Sequence, residues 1–255
     1  MKTAPVNWVA LASIGSASVL AVIATPWFWV PLAAFVLTCL FAPFFPGWGF
    51  FMQSVSRGPG TRPEVTLTFD DGPDPETTPA LLELLARTGT KACFFVTGMA
   101  ALAHPDLIQA IAGAGHEIGN HSWSHDPFLM LRGMRQLAWE VDRGQEILAE
   151  QGIQTAWFRP PVGITNPRLA RVLAQRNLTC VNFSCRGNDA GNRRITGLAD
   201  RILAKVRPGD IILLHDRMPA SPHTVEAWLD EVQKVLAGLD QRNLKPVLLS
   251  KLLES

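Results

Sequence analysis

Between Lys2 and Arg57 the chain carries no Asp, Glu, Lys, Arg or His. No soluble domain needs so long an uncharged stretch of Ala, Val, Leu, Ile, Phe and Trp, so an ordinary globular fold is excluded there. Paired-cysteine motifs are missing too. Cys39, Cys93, Cys180 and Cys185 show no CxxC spacing and require no disulfide, which suits a reducing compartment without demanding one. From Glu64 onward the charges nearly balance, and no basic cluster is interleaved with aromatics, so nothing indicates a nucleic-acid surface. Internal repeats and low-complexity segments are absent as well.

The uncharged stretch holds two apolar runs, Val6–Thr25 and Trp27–Phe45, with Pro26 and Pro31 at the break. A bilayer core takes roughly 20 apolar residues per helix. Trp8, Trp27, Trp29 and Trp48 fall near the ends, where an interfacial aromatic belt would sit. The prediction is a membrane anchor over residues 1–56 built as a transmembrane helical hairpin, then a short linker over 57–63. A cleaved signal peptide or a single anchor is the alternative, opposed by the second run and by the lack of a small-x-small cleavage site. Lys2 on one flank and Arg57 with Arg62 on the other carry the positive charge, so an even number of spans in a cell (inner) membrane leaves the following domain cytoplasmic.

Residues 64–255 alternate apolar runs of strand length with stretches of helical period, the pattern of βα units around a parallel sheet. Strands are predicted at Glu64–Phe69, Ala92–Thr97, His116–Asn120, Ala156–Arg159, Thr179–Phe183, Asp210–Leu214 and Pro246–Leu249. Helices are predicted at Thr78–Thr88, Pro105–Gly113, Leu131–Gln151, Pro167–Arg176, Gly197–Val206 and Thr224–Leu239, three of them with Pro near the start. A closed barrel and an open doubly wound sheet share this local pattern. Polar residues separate them: Asp70 and Asp71, His121 and His125, Arg159, Asp189 and His215 all follow or end strands on one edge. Closure would bring them to one mouth.

Thr68-Phe-Asp-Asp-Gly-Pro73 followed by His121-Ser-Trp-Ser-His125 supplies a carboxylate pair and two histidines at metal-ligand spacing. With Arg159-Pro-Pro, an aspartate motif around Asp189 and Leu-Leu-His at His215, five motifs appear in order, and the chain resembles the polysaccharide deacetylases of the NodB-homology class, carbohydrate esterase family 4. The resemblance covers roughly Glu64 to Ser250 and implies a distorted (β/α)7 barrel.

It further implies that Asp71, His121 and His125 hold a divalent metal ion. Zn2+ is the first expectation, with Co2+, Ni2+, Fe2+ or Mn2+ fitting the same donors. In that scheme a water activated by the metal attacks the amide carbonyl of an N-acetylated amino sugar, with Asp70 as base and Arg159 orienting it. His215 is the acid that protonates the leaving nitrogen, and Asp189 is its partner. Trp123, Pro161, Val162 and Leu214 are the candidates to line the substrate site. Two departures stand out. Val162 occupies the position where the family usually has an aromatic, often Tyr, and this chain has no Tyr; the fourth motif reads Arg186-Gly-Asn-Asp189-Ala190, without its first acid and its tryptophan.

The expected activity is a carbohydrate N-deacetylase, a hydrolase of linear amide C–N bonds, working on a glycan or a lipid-linked amino sugar at the bilayer. A deformylase or another deacylase of a lipid-linked amino sugar would use the same site. A non-catalytic carbohydrate-binding protein is opposed by the presence of every ligand and of the base.

Overall fold

The structure, a computed structural model, describes residues 4–23, 25–42 and 45–254. Helix α1 (Pro5–Val22) and helix α2 (Val30–Phe41) pack against each other. At 1.5 Å per residue α1 runs about 27 Å, enough to cross a hydrocarbon core, whereas α2 runs about 18 Å. The second expected span, Trp27–Phe45, is thereby corrected. Residues 26–29 form a turn, and α2 begins only where Pro31 can occupy its first turn. Residues 24, 43 and 44, also within the expected runs, lie outside the described residues. Exposed large apolar side chains concentrate on this hairpin, among them Trp8, Leu11, Leu40 and Phe41. The Val6 N–H donates to Phe50 O at 3.0 Å, so the chain returns to the start of α1 before entering the domain.

The domain is built on strand β1 (Glu64–Asp70), every residue of which is buried. A strand covered on both faces must satisfy its polar side chains internally. Thr66 and Thr68 do so by donating their hydroxyls to Val247 O and Ile212 O. Around it lie β2 (Cys93–Val96), β3 (Glu117–Asn120), β4 (Trp157–Phe158), β5 (Thr179–Cys180), β6 (Cys185–Arg186) and β7 (Ile211–His215), all parallel, in the order β5-β4-β3-β2-β1-β7-β6. The strands at the two ends of that order are separated in sequence only by residues 181–184 and do not pair with each other. The sheet therefore curls into the expected distorted barrel, interrupted between β5 and β6. A last strand, β8 (Lys245–Pro246), pairs with the first residues of β1.

Helices α3 (Thr78–Arg87), α5 (Pro105–Gly113), α7 (Pro167–Ala174), α8 (Leu198–Leu203) and α9 (Val225–Gln241) fall where the periodicity puts them. Pro79, Pro105 and Pro167 occupy first turns, and the Asn166 side chain caps α7 by accepting from Leu169 N. Helix α6 (Met134–Glu150) starts three residues later than expected, because residues 129–131 form a separate 3-10 turn ahead of Gly133. Helix α4 (Gly98–Ala103) and strand β6 were not anticipated. At the C-terminal end the expected Pro246–Leu249 strand is cut short, since Leu249 opens α10 (Leu249–Leu253), whose first amides donate to the Glu117 carboxylate. The main core joins β1, β2 and β7 to α3, α5, α8 and α9; a second cluster joins α6, α7 and the 129–131 turn to Met52, near the end of the anchor segment.

Candidate active site and metal centre

Among the described residues, seven of the nine non-glycine residues with left-handed backbone occur in loops that leave the C-terminal ends of strands: Asp71, Ser122, His125, Val162, Asn188, Ala190 and Asn192. Such conformations cost of order 1–3 kcal/mol each and persist where the surroundings impose them. Val162 is the clearest case, because a β-branched residue is a genuine outlier at φ 53°. These loops enclose a cleft of about 600 Å³ whose lining includes Asp70, Asp71, His121, His125, Asp189 and His215.

Asp70 ends β1 and is buried. Its Oδ1 accepts from Arg159 Nη1 at 2.6 Å. Arg159 is fully buried and spends its other donors on Thr68 Oγ1, Val181 O and Asn182 O, while its guanidinium lies 4.0 Å from the Phe95 ring centroid. A planar fork with every arm engaged fixes one orientation of the Asp70 carboxylate. The next residues turn sharply. Gly72 packs on Asp216, where an added Cβ would sit 2.6 Å from Oδ2, so no side chain fits. Asp216 accepts the hydroxyls of Thr77 and Thr78, and burial pushes its carboxyl up to about 7.

Asp71, His121 and His125 offer ligand atoms that all lie within 4.8 Å of one another. Asp71 Oδ1 lies 3.3 Å from His125 Nε2 and 3.6 Å from His121 Nε2. That oxygen is buried and has no hydrogen-bond partner in the protein, a costly state that a cation would relieve. His121 Nδ1 donates to Arg159 O at 2.8 Å, which leaves Nε2 with a free lone pair aimed at the two aspartates. Burial, the strongest influence, pulls His121 below the ordinary imidazole value, and a neutral imidazole is the ligand form. Burial opposes ionisation of Asp71, yet the charges of His121, His125, His215 and Arg217 hold its carboxyl below the usual carboxylate value. The donor set and the orphaned oxygen fit a divalent cation.

The histidine loop is held from outside by Glu140 of α6, whose carboxylate accepts from Trp123 N, Ser124 N and Ser124 Oγ. Across the cleft, His215 Nδ1 meets Asp189 Oδ2 at 2.7 Å. Burial disfavours the charged ring, but the Asp189 hydrogen bond and the charges of Asp189, Asp71 and Asp70 together raise His215 above its ordinary value. Asn192 secures the strand end by donating to His215 O and Arg217 O.

The structure therefore brings Asp70, Asp71, His121, His125, Arg159, Asp189 and His215 together. Val162 lines the cleft and Pro161 is buried beside it. Trp123 and Leu214 are corrected. Trp123 packs on Gly98 and Trp139 with Arg143 over its ring, away from the cleft, because the left-handed Ser122 turns the loop outward. Leu214 points into the main core, since strand alternation gives the cleft to Leu213 and His215. Glu140, Arg186 and Arg217 were missed. An acid among the apolar core positions Leu137, Val141 and Gly144 of α6 was a readable signal for Glu140. Arg217, 3.3 Å from Asp71 Oδ2, had none beyond its place two residues after His215.

Residues 57–181 match the family model described as polysaccharide deacetylase. A chitooligosaccharide deacetylase of Sinorhizobium fredii is 38% identical over 198 residues, spanning 74% of this chain and 89% of that protein. The crystal structure of a peptidoglycan N-acetylglucosamine deacetylase superposes with a TM-score of 0.72 at 29% identity, covering 79% of this chain and 93% of the other. A family 4 carbohydrate esterase from Streptomyces lividans, solved with acetate, gives a TM-score of 0.65 at 32% identity over 72% of this chain and 92% of the other.

Proposed function

The chain belongs to the polysaccharide deacetylase family, and from that premise we propose that its 64–255 domain removes the N-acetyl group from an amino sugar by metal-assisted amide hydrolysis. The observation that carries the reading is the orphaned, buried Asp71 Oδ1 facing two histidine nitrogens, beside a second carboxylate locked by Arg159.

Asp71, His121 and His125 would hold the cation, zinc first among those that suit two imidazoles and a carboxylate. When bound it supplies Lewis acidity to the amide oxygen and lowers the pKa of water. Asp70 is the base: with Oδ1 tied to Arg159, Oδ2 is left to take the proton of the attacking water. His215, whose bound proton is favoured by Asp189, carries that proton to the leaving nitrogen. The backbone N–H of Val162, presented by its left-handed conformation at the cleft wall, is the donor assigned to the developing oxyanion. A cleft of about 600 Å³ accommodates a sugar unit and its acetamido group.

The N-terminal segment serves as a membrane anchor, with α1 as its crossing helix, and the substrate is an N-acetylated glycan or lipid-linked sugar met at the bilayer surface. Charge at Lys2, Arg57 and Arg62, with the return of residue 50 to the start of α1, supports both flanks of the anchor on the cytoplasmic side. A reporter fused after Ser255 tests that placement; activity on the outer side of the membrane contradicts it. The reaction itself is tested by acetate release from N-acetylated sugars by metal-loaded protein, with loss in Asp70→Asn.

A further inference from the structure

Beside the catalytic cleft lies a second groove, of about 710 Å³, and it joins the membrane anchor to the active site. One wall is Phe45 and Trp48, which follow α2 and stack at 4.7 Å between centroids while staying largely exposed. The opposite wall is Val162 and Ile164 from the loop after β4. Val162, Phe183 and Arg186 line both this groove and the cleft, so the two spaces are continuous.

Charge is placed at the junction. Arg186 is exposed, its guanidinium lies 5.6 Å from the Phe183 centroid, and no carboxylate comes within ion-pair distance of it among the described residues. Arg57, paired with Asp210 at 2.6 Å but still 43% exposed, lines the groove from the linker. Among the described residues no acidic side chain lines the groove, whereas Arg193, Arg194 and Arg217 line the cleft next to it. Phe128 and Leu131 are exposed beside Leu129 and Met130, which pack against Met52 of the anchor segment. That edge of the domain is therefore held against the anchor.

A neutral sugar polymer would stack on the aromatic wall but would leave the arginine at the junction without an anionic partner. A ligand that supplies one is an amino sugar joined through phosphate to a lipid chain, with sugar in the cleft, phosphate at Arg186 and chain over Phe45, Trp48 and Ile164. Resting on the deacetylase reading above, we propose that this is the substrate class, and that the anchor segment forms part of its binding site.

The test uses the full chain in detergent micelles with zinc added. Acetate release is followed from four N-acetylglucosamine compounds: the farnesyl phosphodiester, the 1-phosphate without lipid, the octyl glycoside without phosphate, and chitotetraose. The farnesyl phosphodiester is expected to show a kcat/KM at least about tenfold above each of the others, through the charge-assisted contact relative to the octyl glycoside and through burial of the chain relative to the 1-phosphate. Arg186→Gln should erase most of the preference over the octyl glycoside through KM, and Trp48→Ala should lower kcat/KM for the two lipid-bearing compounds relative to the 1-phosphate. Equal kcat/KM for the farnesyl compound and the 1-phosphate, or a uniform loss on all compounds in both variants, overturns the proposal. Acetate from chitotetraose alone also overturns it while leaving the deacetylase reading intact; acetate from none of the four overturns both.

Discussion

Replacing Arg159 with Met removes the guanidinium that every other feature of the base depends on. The side chain is fully buried and makes four hydrogen bonds, to Asp70 Oδ1, Thr68 Oγ1, Val181 O and Asn182 O. Met fills much of the volume, so the dominant loss is electrostatic: Asp70 is left as a buried carboxylate whose remaining neighbour, His121 Nε2, lies 3.6 Å away. Removing one partner of a buried ion pair costs about 3–5 kcal/mol. In a domain of this size 1 kcal/mol moves the melting temperature by about 2–4 °C, so Arg159→Met should lower it by about 10 °C. Tryptophan-fluorescence melting of the full chain in micelles measures this. Because the base also loses its orientation, kcat should fall about 10²- to 10⁴-fold. The double variant Arg159→Met, Asp70→Leu should recover at least half of the lost stability, since no charge then stays buried alone. A melting temperature lowered by less than about 3 °C, together with activity within threefold of the wild type, would refute this account of Arg159.

Further expectations concern protons, metal and strain. His215 sits above its ordinary value through Asp189, so it acts as an acid only while protonated; kcat/KM should fall as pH rises through its folded pKa, and Asp189→Asn should draw that limb to lower pH in a pH–rate profile. Asp216 binds a proton more readily folded, at about 7, than unfolded; its contribution to stability is present below about 4 and lost as pH rises through about 7. Denaturant titrations across that range should show the slope, and Asp216→Asn should flatten it. His125→Ala should cut zinc affinity, read by a chelator competition, and shrink the zinc-dependent rise in melting temperature, whether or not activity is measurable. Gly144→Ala would place a Cβ 2.4 Å from Asn120 Oδ1, so about 1–3 kcal/mol of stability should be lost on thermal melting.

Legibility in the sequence followed the strength of the local signal. The long β1 and β7 runs, the proline-started helices and the Asp-Asp and His-x-x-x-His motifs are encoded by neighbours in sequence, and they were readable there. Two-residue strands such as β6 were not, because nothing periodic fits in so short a run. Leu249 reads as strand in an apolar run, yet it is helical because Glu117, remote in sequence, caps its amides. The direction of Trp123 depended on a left-handed Ser122, and that of Leu214 on strand register, neither of which residue type reveals. The second apolar helix is shorter than the apolar run because Trp and Phe keep hydropathy high through the turn at residues 26–29.

The central claim is metal-dependent hydrolysis of an N-acetylated amino sugar by the cluster at Asp70, Asp71, His121, His125 and His215. Its most direct test is acetate release by the full chain from N-acetylglucosamine oligomers and a lipid-linked N-acetylhexosamine, stripped of metal and reloaded, beside Asp70→Asn. The account predicts acetate only from the reloaded wild type, with the variant silent although it still binds zinc. Acetate from the stripped protein, or undiminished acetate from Asp70→Asn, would contradict it.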